Sequence, residues 1–124
     1  MLELFAKILI GIVAVEHIYI MWLEMFAWET KGKKTFKSIP EEIFTPTKGL
    51  AANQGLYNGF LAAGLIWSLL TKEVLMQQNL ALFFLACVFI AGIYGAITAD
   101  KAIFFKQGFP ALIGLIVVSC WKYI

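Results

Sequence analysis

Four long apolar blocks, separated by short polar segments, constrain this chain more than any other feature. The blocks cover residues 2–28, 46–70, 75–98 and 109–121. A helix needs about 20 apolar residues to cross the hydrocarbon core of a bilayer, and only the fourth block is clearly shorter. With 61% apolar residues and a mean hydropathy of +0.83, the chain has more apolar surface than a soluble domain of this size can bury. We therefore predict an all-α polytopic membrane protein, a single four-transmembrane-helix bundle over residues 1–124 whose solvent is the lipid bilayer.

The first block is predicted to be a retained helix. Its apolar run continues from Leu2 past Trp22 to Trp28, which is too long for the short apolar region of a signal peptide followed by a small-residue cleavage site.

Turn and capping residues predict where the helices begin. Thr45 followed by Pro46 is typical of an N-cap and first turn. Ser38 and Glu41 have the spacing of a capping box, which predicts a short surface helix through Phe44. Residues 107–110, QGFP, are expected to break the chain before the fourth helix.

The lysines are distributed unequally between the two ends of the predicted bundle, which fixes its expected orientation. Two connections lie at one end, and their segments 29–48 and 99–108 carry Lys31, Lys33, Lys34, Lys37, Lys48, Lys101 and Lys106; the opposite end carries Lys7, Lys72 and Lys122. Because loops rich in Lys stay in the cytoplasm, we expect a cell-membrane protein with loop 29–45 cytoplasmic and both termini outside. The net charge of +2 is too small to indicate a nucleic-acid partner.

Polar side chains within the apolar blocks are the candidate functional residues, because charge at bilayer depth costs at least about 2.5–3.5 kcal/mol on insertion scales. They lie almost entirely in the half of each helix nearest the lysine-rich loop, which predicts one polar pocket open to the cytoplasm. The candidates are Glu16, His17, Tyr19 and Glu24 on the first helix, Asn53, Gln54, Tyr57 and Asn58 on the second, and Tyr94 on the third.

Within this set, Glu16 and His17 are the candidate acid–base groups, since burial shifts such groups toward pKa values that suit acid–base catalysis. The other seven residues are predicted to bind a ligand, with Tyr57 and Asn58 orienting it. Two structural alternatives stay open: polar groups often join membrane helices by hydrogen bonds, and Glu24 lies close enough to the interface to snorkel toward water or to pair with a loop lysine.

No metal site is predicted, because neighbouring Glu16 and His17 point about 100° apart on a helix and no HExxH spacing is present. The sequence contains no cofactor fingerprint, so the cofactor and the reaction stay open. Cys87 and Cys120 are expected to be buried structural thiols.

Small residues recur every four positions on two helices. Ala51, Gly55, Gly59 and Ala63 form one ladder, and Ala91, Gly95 and Ala99 form another. Such ladders let helix backbones approach closely. We therefore expect the second and third helices to pack tightly, within one chain or between the subunits of a homo-oligomer.

Four motifs carry a family resemblance: EHIYIMWLEMFAW, ANQGLYNGFLAAGL, GIYGA and QGFPA. Together they resemble the small bacterial membrane proteins grouped as domain-of-unknown-function family 1304. The resemblance covers nearly the whole chain, and it implies no established biochemical function.

The architecture is also similar to that of the MAPEG proteins, membrane enzymes of eicosanoid and glutathione metabolism. Asn53, Tyr57 and the apolar run after Phe60 follow that family's second helix, whereas Leu56 stands where the family has Glu and its Arg residues are missing. A shared scaffold would imply a trimer with sites between subunits, without implying glutathione conjugation.

These observations favour a small integral membrane protein that binds or processes a small amphiphilic or lipid-like molecule in a cytoplasm-facing pocket. Two alternatives are an oligomeric transporter or channel subunit, in which Glu16 and His17 relay protons, and a non-catalytic helper of a larger membrane complex.

Overall fold

A computed structural model describes residues 1–124, and the chain is all-α. The helices are α1 (Leu2–Phe26), the three-residue α2 (Lys33–Thr35), α3 (Lys48–Leu70), α4 (Val74–Thr98) and α5 (Phe109–Tyr123). Two π-helical turns, Trp28–Gly32 and Phe104–Gly108, and a 3-10 turn, Glu41–Ile43, complete the secondary structure.

The four long helices alternate in direction and form a ring in the order α1, α3, α4, α5, each packing against two neighbours. Ser38 Oγ donates a 3.0 Å hydrogen bond to Asp100 Oδ2, which joins the two long connections at what we call the loop end. At the opposite turn end, Lys122 Nζ donates to Asn79. The apolar core between the helices contains Ala6, Ile10, Val13, Ala14, Leu65, Ala81, Leu85, Val88, Ala111 and Val118.

Three helices are long and apolar enough to span a membrane: Leu2–Phe26, Val74–Thr98 and Phe104–Tyr123. They support a multi-pass membrane protein. α3 has a comparable length, but its polar residues between Asn53 and Asn58 lower its hydropathy. That α3 also crosses the bilayer stays a prediction.

The fourth helix is longer than the sequence analysis expected. The predicted break at residues 107–110 is wrong, because the backbone stays helical from Phe104 to Tyr123 through the π-helical turn. Pro110 fits in the first turn of α5, where a missing N–H is tolerated. Gly92 on α4 faces this segment so closely that a Cβ there would lie 2.7 Å from the Gly108 backbone.

The hydroxyl groups of the long connection do not cap helices as predicted. Ser38 bonds to Asp100, so no capping box forms and only the 3-10 turn follows. Thr45 Oγ1 donates to Glu29 Oε2 at 2.9 Å, and α3 begins two residues after Pro46, at Lys48. These side chains instead bind groups far away in the sequence, which local spacing does not reveal.

Both small-residue ladders make close contacts with other helices of the same chain. A Cβ on Gly55 would lie 2.8 Å from Met25 Cγ, and one on Gly59 would meet the Met21 side chain, so this ladder packs on α1. The second ladder faces the start of the fourth helix, where a Cβ on Gly95 would lie 3.0 Å from Ile103 Cγ2. Four-residue spacing identifies a close-packing face but not the helix that covers it.

Candidate functional site

The largest cavity lies between α3 and α4 at the loop end, and we call it the α3–α4 cavity. These helices are joined at the turn end by residues 71–73, where a Cβ on Gly64 would meet Phe84. Toward the loop end they frame a space of about 770 Å³. Helix residues that line it include Glu24, Trp28, Gln54, Tyr57, Asn58, Leu61, Ala91 and Tyr94, and loop residues include Phe36, Ser38 and Asp100.

Glu24 is the buried charged group of this cavity. It is 4% exposed, and its carboxylate oxygens accept hydrogen bonds from Asn58 Nδ2 at 2.6 Å and Gln54 Nε2 at 3.1 Å. The close approach of α1 and α3 makes these bonds possible, since a Cβ on Gly55 would lie 2.9 Å from Glu24 Cβ. Three residues of the predicted polar pocket therefore form one hydrogen-bonded cluster.

The alternative in which Glu24 pairs with a loop lysine is wrong. The ion pairs of the chain are Lys7–Glu3, Lys33–Glu41 and Lys48–Glu29. Glu24 is buried and belongs to none of these ion pairs, and amide groups of α3 donate hydrogen bonds to both of its oxygens.

Aromatic side chains form the rest of the cavity wall. The Trp28 and Phe36 ring centroids are 5.5 Å apart, and Trp28 Nε1 donates to Thr47 Oγ1 at 3.1 Å, which fixes the indole. Tyr57 and Tyr94 also line the cavity, and their side chains are 58% and 69% exposed. α3 and α4 thus each contribute one exposed tyrosine to the cavity wall.

A smaller cavity of about 340 Å³ lies on the other side of the bundle, between α1 and the start of the fourth helix, and we call it the α1–α5 cavity. Its lining includes Glu16, Tyr19, Thr35, Ala102 and Lys106. Both cavities share the wall residues Ile20, Phe36, Asp100, Ile103 and Gln107.

Asp100 lies where the two cavities meet the long connections. Its carboxylate accepts hydrogen bonds from the Ala102 backbone N–H at 2.9 Å and from the Ser38 hydroxyl at 3.0 Å. These bonds hold the pKa of the Asp100 carboxyl below its usual range, the Ala102 N–H having the larger effect.

Glu16 and His17 lie on different faces of α1. Glu16 is half-buried in the α1–α5 cavity, whereas His17 is 1% exposed and lines neither cavity. His17 Nδ1 lies 2.9 Å from the Val13 carbonyl oxygen, which accepts only, so Nδ1 carries the proton and donates. The structure therefore does not bring the imidazole together with Glu16.

Of the other predicted residues, Asn53 is exposed on α3 and lines neither cavity. Tyr19 lines the smaller cavity, apart from Glu24 and the α3 amides. Trp28 and Phe36 were not predicted as cavity residues, because only the folding of the long connection back over the bundle brings them to the site. The one sequence feature that could have indicated them is that both are aromatic residues soon after the helix that carries Glu24.

Potential metal ligands do not cluster: no three His, Cys, Asp or Glu side chains in residues 1–124 come close enough to hold an ion. Cys87 and Cys120 are both free thiols and are half-buried rather than fully buried as expected.

Comparison with known proteins identifies relatives over most of the chain. The family model described as "Protein of unknown function (DUF1304)" matches residues 11–119. The chain is also 34% identical over 107 residues to "Uncharacterized protein YpaA" of Lactococcus lactis subsp. lactis (strain IL1403), covering 85% of this chain and 88% of that protein. No solved structure matches the chain, and neither relative supports the MAPEG resemblance. The chain, with its Glu24 cluster on a helix pair within the matched region, belongs to the DUF1304 family.

Proposed function

We propose that this protein is an integral membrane protein that binds a small amphiphilic or lipid-like molecule in the α3–α4 cavity. The observation that carries the proposal is the buried Glu24 carboxylate, with its amide donors Gln54 and Asn58, at the wall of an otherwise largely apolar cavity. A polar headgroup would bind to the Glu24–Gln54–Asn58 cluster, and its chain would lie along apolar residues such as Leu61. Sites of this kind combine an apolar lining with a few fixed polar groups.

The exposed tyrosines of the cavity wall, Tyr57 on α3 and Tyr94 on α4, support entry from the bilayer between these two helices. Both side chains are largely exposed on the outer surface of the bundle, and the helices around them present apolar residues such as Ile90 and Ile97 outward. An amphiphile in the membrane would enter sideways without leaving the hydrocarbon environment.

The proposal places all four long helices across the cell membrane with the loop end in the cytoplasm. The excess of lysines in the two loop-end connections supports this orientation, which leaves both termini outside. The cavity would then open to the cytoplasmic leaflet.

The geometry supports binding more directly than catalysis. His17 lies outside both cavities, so the proposed ligand site does not include it. Glu16 lines the smaller cavity and is the acid–base candidate should a ligand reach that side. We therefore propose no reaction.

The alternatives receive less support. A channel along the bundle axis would have to pass through the apolar core toward the turn end, where residues such as Ile10, Leu65 and Leu85 are fully buried. Gly55, Gly59 and Gly95 already pack within the chain. A homo-oligomer, or a complex with other membrane proteins, would therefore have to form through a different surface.

The binding proposal is tested with Trp28 as the single reporter, after Trp22, Trp67 and Trp121 are replaced by Phe, in lipid nanodiscs. The probe is 8-bromooctanol, whose bromine quenches tryptophan on contact. We expect saturable quenching of Trp28 above the linear quenching caused by probe in the bilayer. A variant that retains only Trp67, which lines neither cavity, should show the linear part alone.

A cavity-filling variant provides the matched control. Ala91→Phe places a ring in the α3–α4 cavity and should abolish the saturable part of the quenching. Ala63→Phe makes the same change at an exposed position that lines neither cavity and should preserve it. Saturable quenching of Trp28 that is unchanged in Ala91→Phe would refute the proposal.

A further inference from the structure

We propose that the α3–α4 cavity selects amphiphiles with a cationic headgroup, a protonated amine or a quaternary ammonium group. This inference rests on the proposed binding function and names the class of ligand that the same site would take. It follows from the charges, the buried carboxylate and the aromatic rings that line the cavity.

The charged groups of the cavity are all negative. Among its 23 lining residues, Glu24 and Asp100 are carboxylates, and Lys, Arg and His are absent. This is notable because seven of the ten lysines lie in the loop-end connections or beside them. Lys33 and Lys48 pair with Glu41 and Glu29 outside the cavity, and Lys106 lines only the smaller one.

Glu24 lacks a positive partner although it is almost fully buried. Its oxygens accept two neutral amide donors, and none of the ion pairs of the chain includes it. A buried carboxylate is strongly stabilised by a positive charge at hydrogen-bond or contact distance. A cationic headgroup in the cavity would supply that charge.

Aromatic rings are the second feature of the cavity that suits a cationic headgroup. Trp28 and Phe36 stand 5.5 Å apart at an interplanar angle of 51°, and Tyr57 and Tyr94 line the same cavity. Ring faces attract ammonium groups, with Trp the strongest, and quaternary ammonium ligands are recognised by such groups of rings. An anionic headgroup would meet two carboxylates and no compensating cation.

The α1–α5 cavity does not have this negative and aromatic lining. It contains Glu16 and Asp100 together with Lys106, so its charges are mixed, and its aromatic residues are Tyr19 and Phe36. Selection for a cation is therefore expected only on the α3–α4 side.

The test uses three probes with the same brominated chain: 8-bromooctyltrimethylammonium, 8-bromooctanol and 8-bromooctanoate. Their affinities are measured by saturable quenching in the variant that retains only Trp28. We expect the cation to bind about tenfold more tightly than the alcohol, and the carboxylate more weakly than both. Glu24→Gln should remove the preference for the cation while the alcohol still binds.

Two further variants keep the test decisive. Glu42→Gln removes the same charge at an exposed loop-end position outside both cavities and should leave the preference intact. If Glu24→Gln does not fold, Tyr94→Leu alters an exposed side chain of the cavity wall and should weaken binding of the cation alone.

The outcomes separate this inference from the function on which it rests. Equal saturable binding of all three probes would overturn the cation selectivity but would still support an amphiphile-binding site. A cation preference that persists in Glu24→Gln would overturn the inference as well. Absence of saturable quenching by any probe would overturn both. Competition with dihexanoylphosphatidylcholine identifies the source of a confirmed cation: displacement supports a lipid ammonium headgroup, and no displacement supports a free amphiphilic amine.

Discussion

The Asn58 amide on α3 donates a 2.6 Å hydrogen bond to the Glu24 carboxylate on α1. This bond joins two helices whose close contact depends on the glycines next to the amide residues, Gly55 and Gly59. A small-residue ladder and a polar cluster, which have separate signatures in the sequence, are thus two parts of one helix interface.

Loss of the Asn58 amide should destabilise the protein. We expect Asn58→Leu to lower the free energy of unfolding by about 1–3 kcal/mol, because one oxygen of the buried Glu24 carboxylate loses its donor. Thermal unfolding in a mild detergent would measure the change. Asn53→Leu is the control, since Asn53 is exposed on the same helix and should alter stability little; equal effects of the two changes would contradict the structural role of the cluster.

A side chain at Gly55 should separate α1 from α3. In Gly55→Ala the new Cβ would lie 2.9 Å from Glu24 Cβ and 3.1 Å from the Met21 carbonyl oxygen. We expect a loss of about 1–3 kcal/mol in the free energy of unfolding, as is usual for overpacking. Gly11→Ala, whose Cβ has nothing within 4 Å, should be neutral or slightly stabilising, and a comparable loss there would argue against this interface.

Stability of the contact between the two loop-end connections should depend on pH through Asp100. Its pKa is lowered in the folded chain, so it stabilises the fold above the ordinary aspartate value of about 4 and this contribution is lost as the pH falls through the lower folded value. Carboxyl NMR titration of Asp100 should show the depressed pKa, and Ser38→Ala should raise it. A titration that is unaffected by Ser38→Ala would mean that the hydroxyl does not bond to Asp100.

The orientation can be tested with single cysteines after Cys87 and Cys120 are replaced by Ala. In intact cells, a membrane-impermeant maleimide should label Lys72→Cys at the turn end and should not label Lys37→Cys at the loop end. After the cells are opened, both positions should react. Labelling of Lys37→Cys from outside would reverse the proposed topology.

The sequence by itself determined the helical class and the position of the polar residues along the chain, because long apolar blocks act locally. It also identified Glu24, Gln54 and Asn58, since polar groups are costly in apolar blocks. It could not show that the three residues share one cluster, because that depends on which helix covers the Gly55 face.

Only the tertiary structure decided which helix faces enter the core or a cavity and which groups the long connection contacts. His17 and Glu16 are neighbours in sequence, yet the rotation of about 100° per residue sends His17 into the core and Glu16 to a cavity. Likewise, Ser38 binds Asp100, 62 positions away, instead of capping a local helix. A side chain's partner is set by the packing of whole helices, whereas spacing along the chain fixes only the direction in which that side chain leaves its own helix.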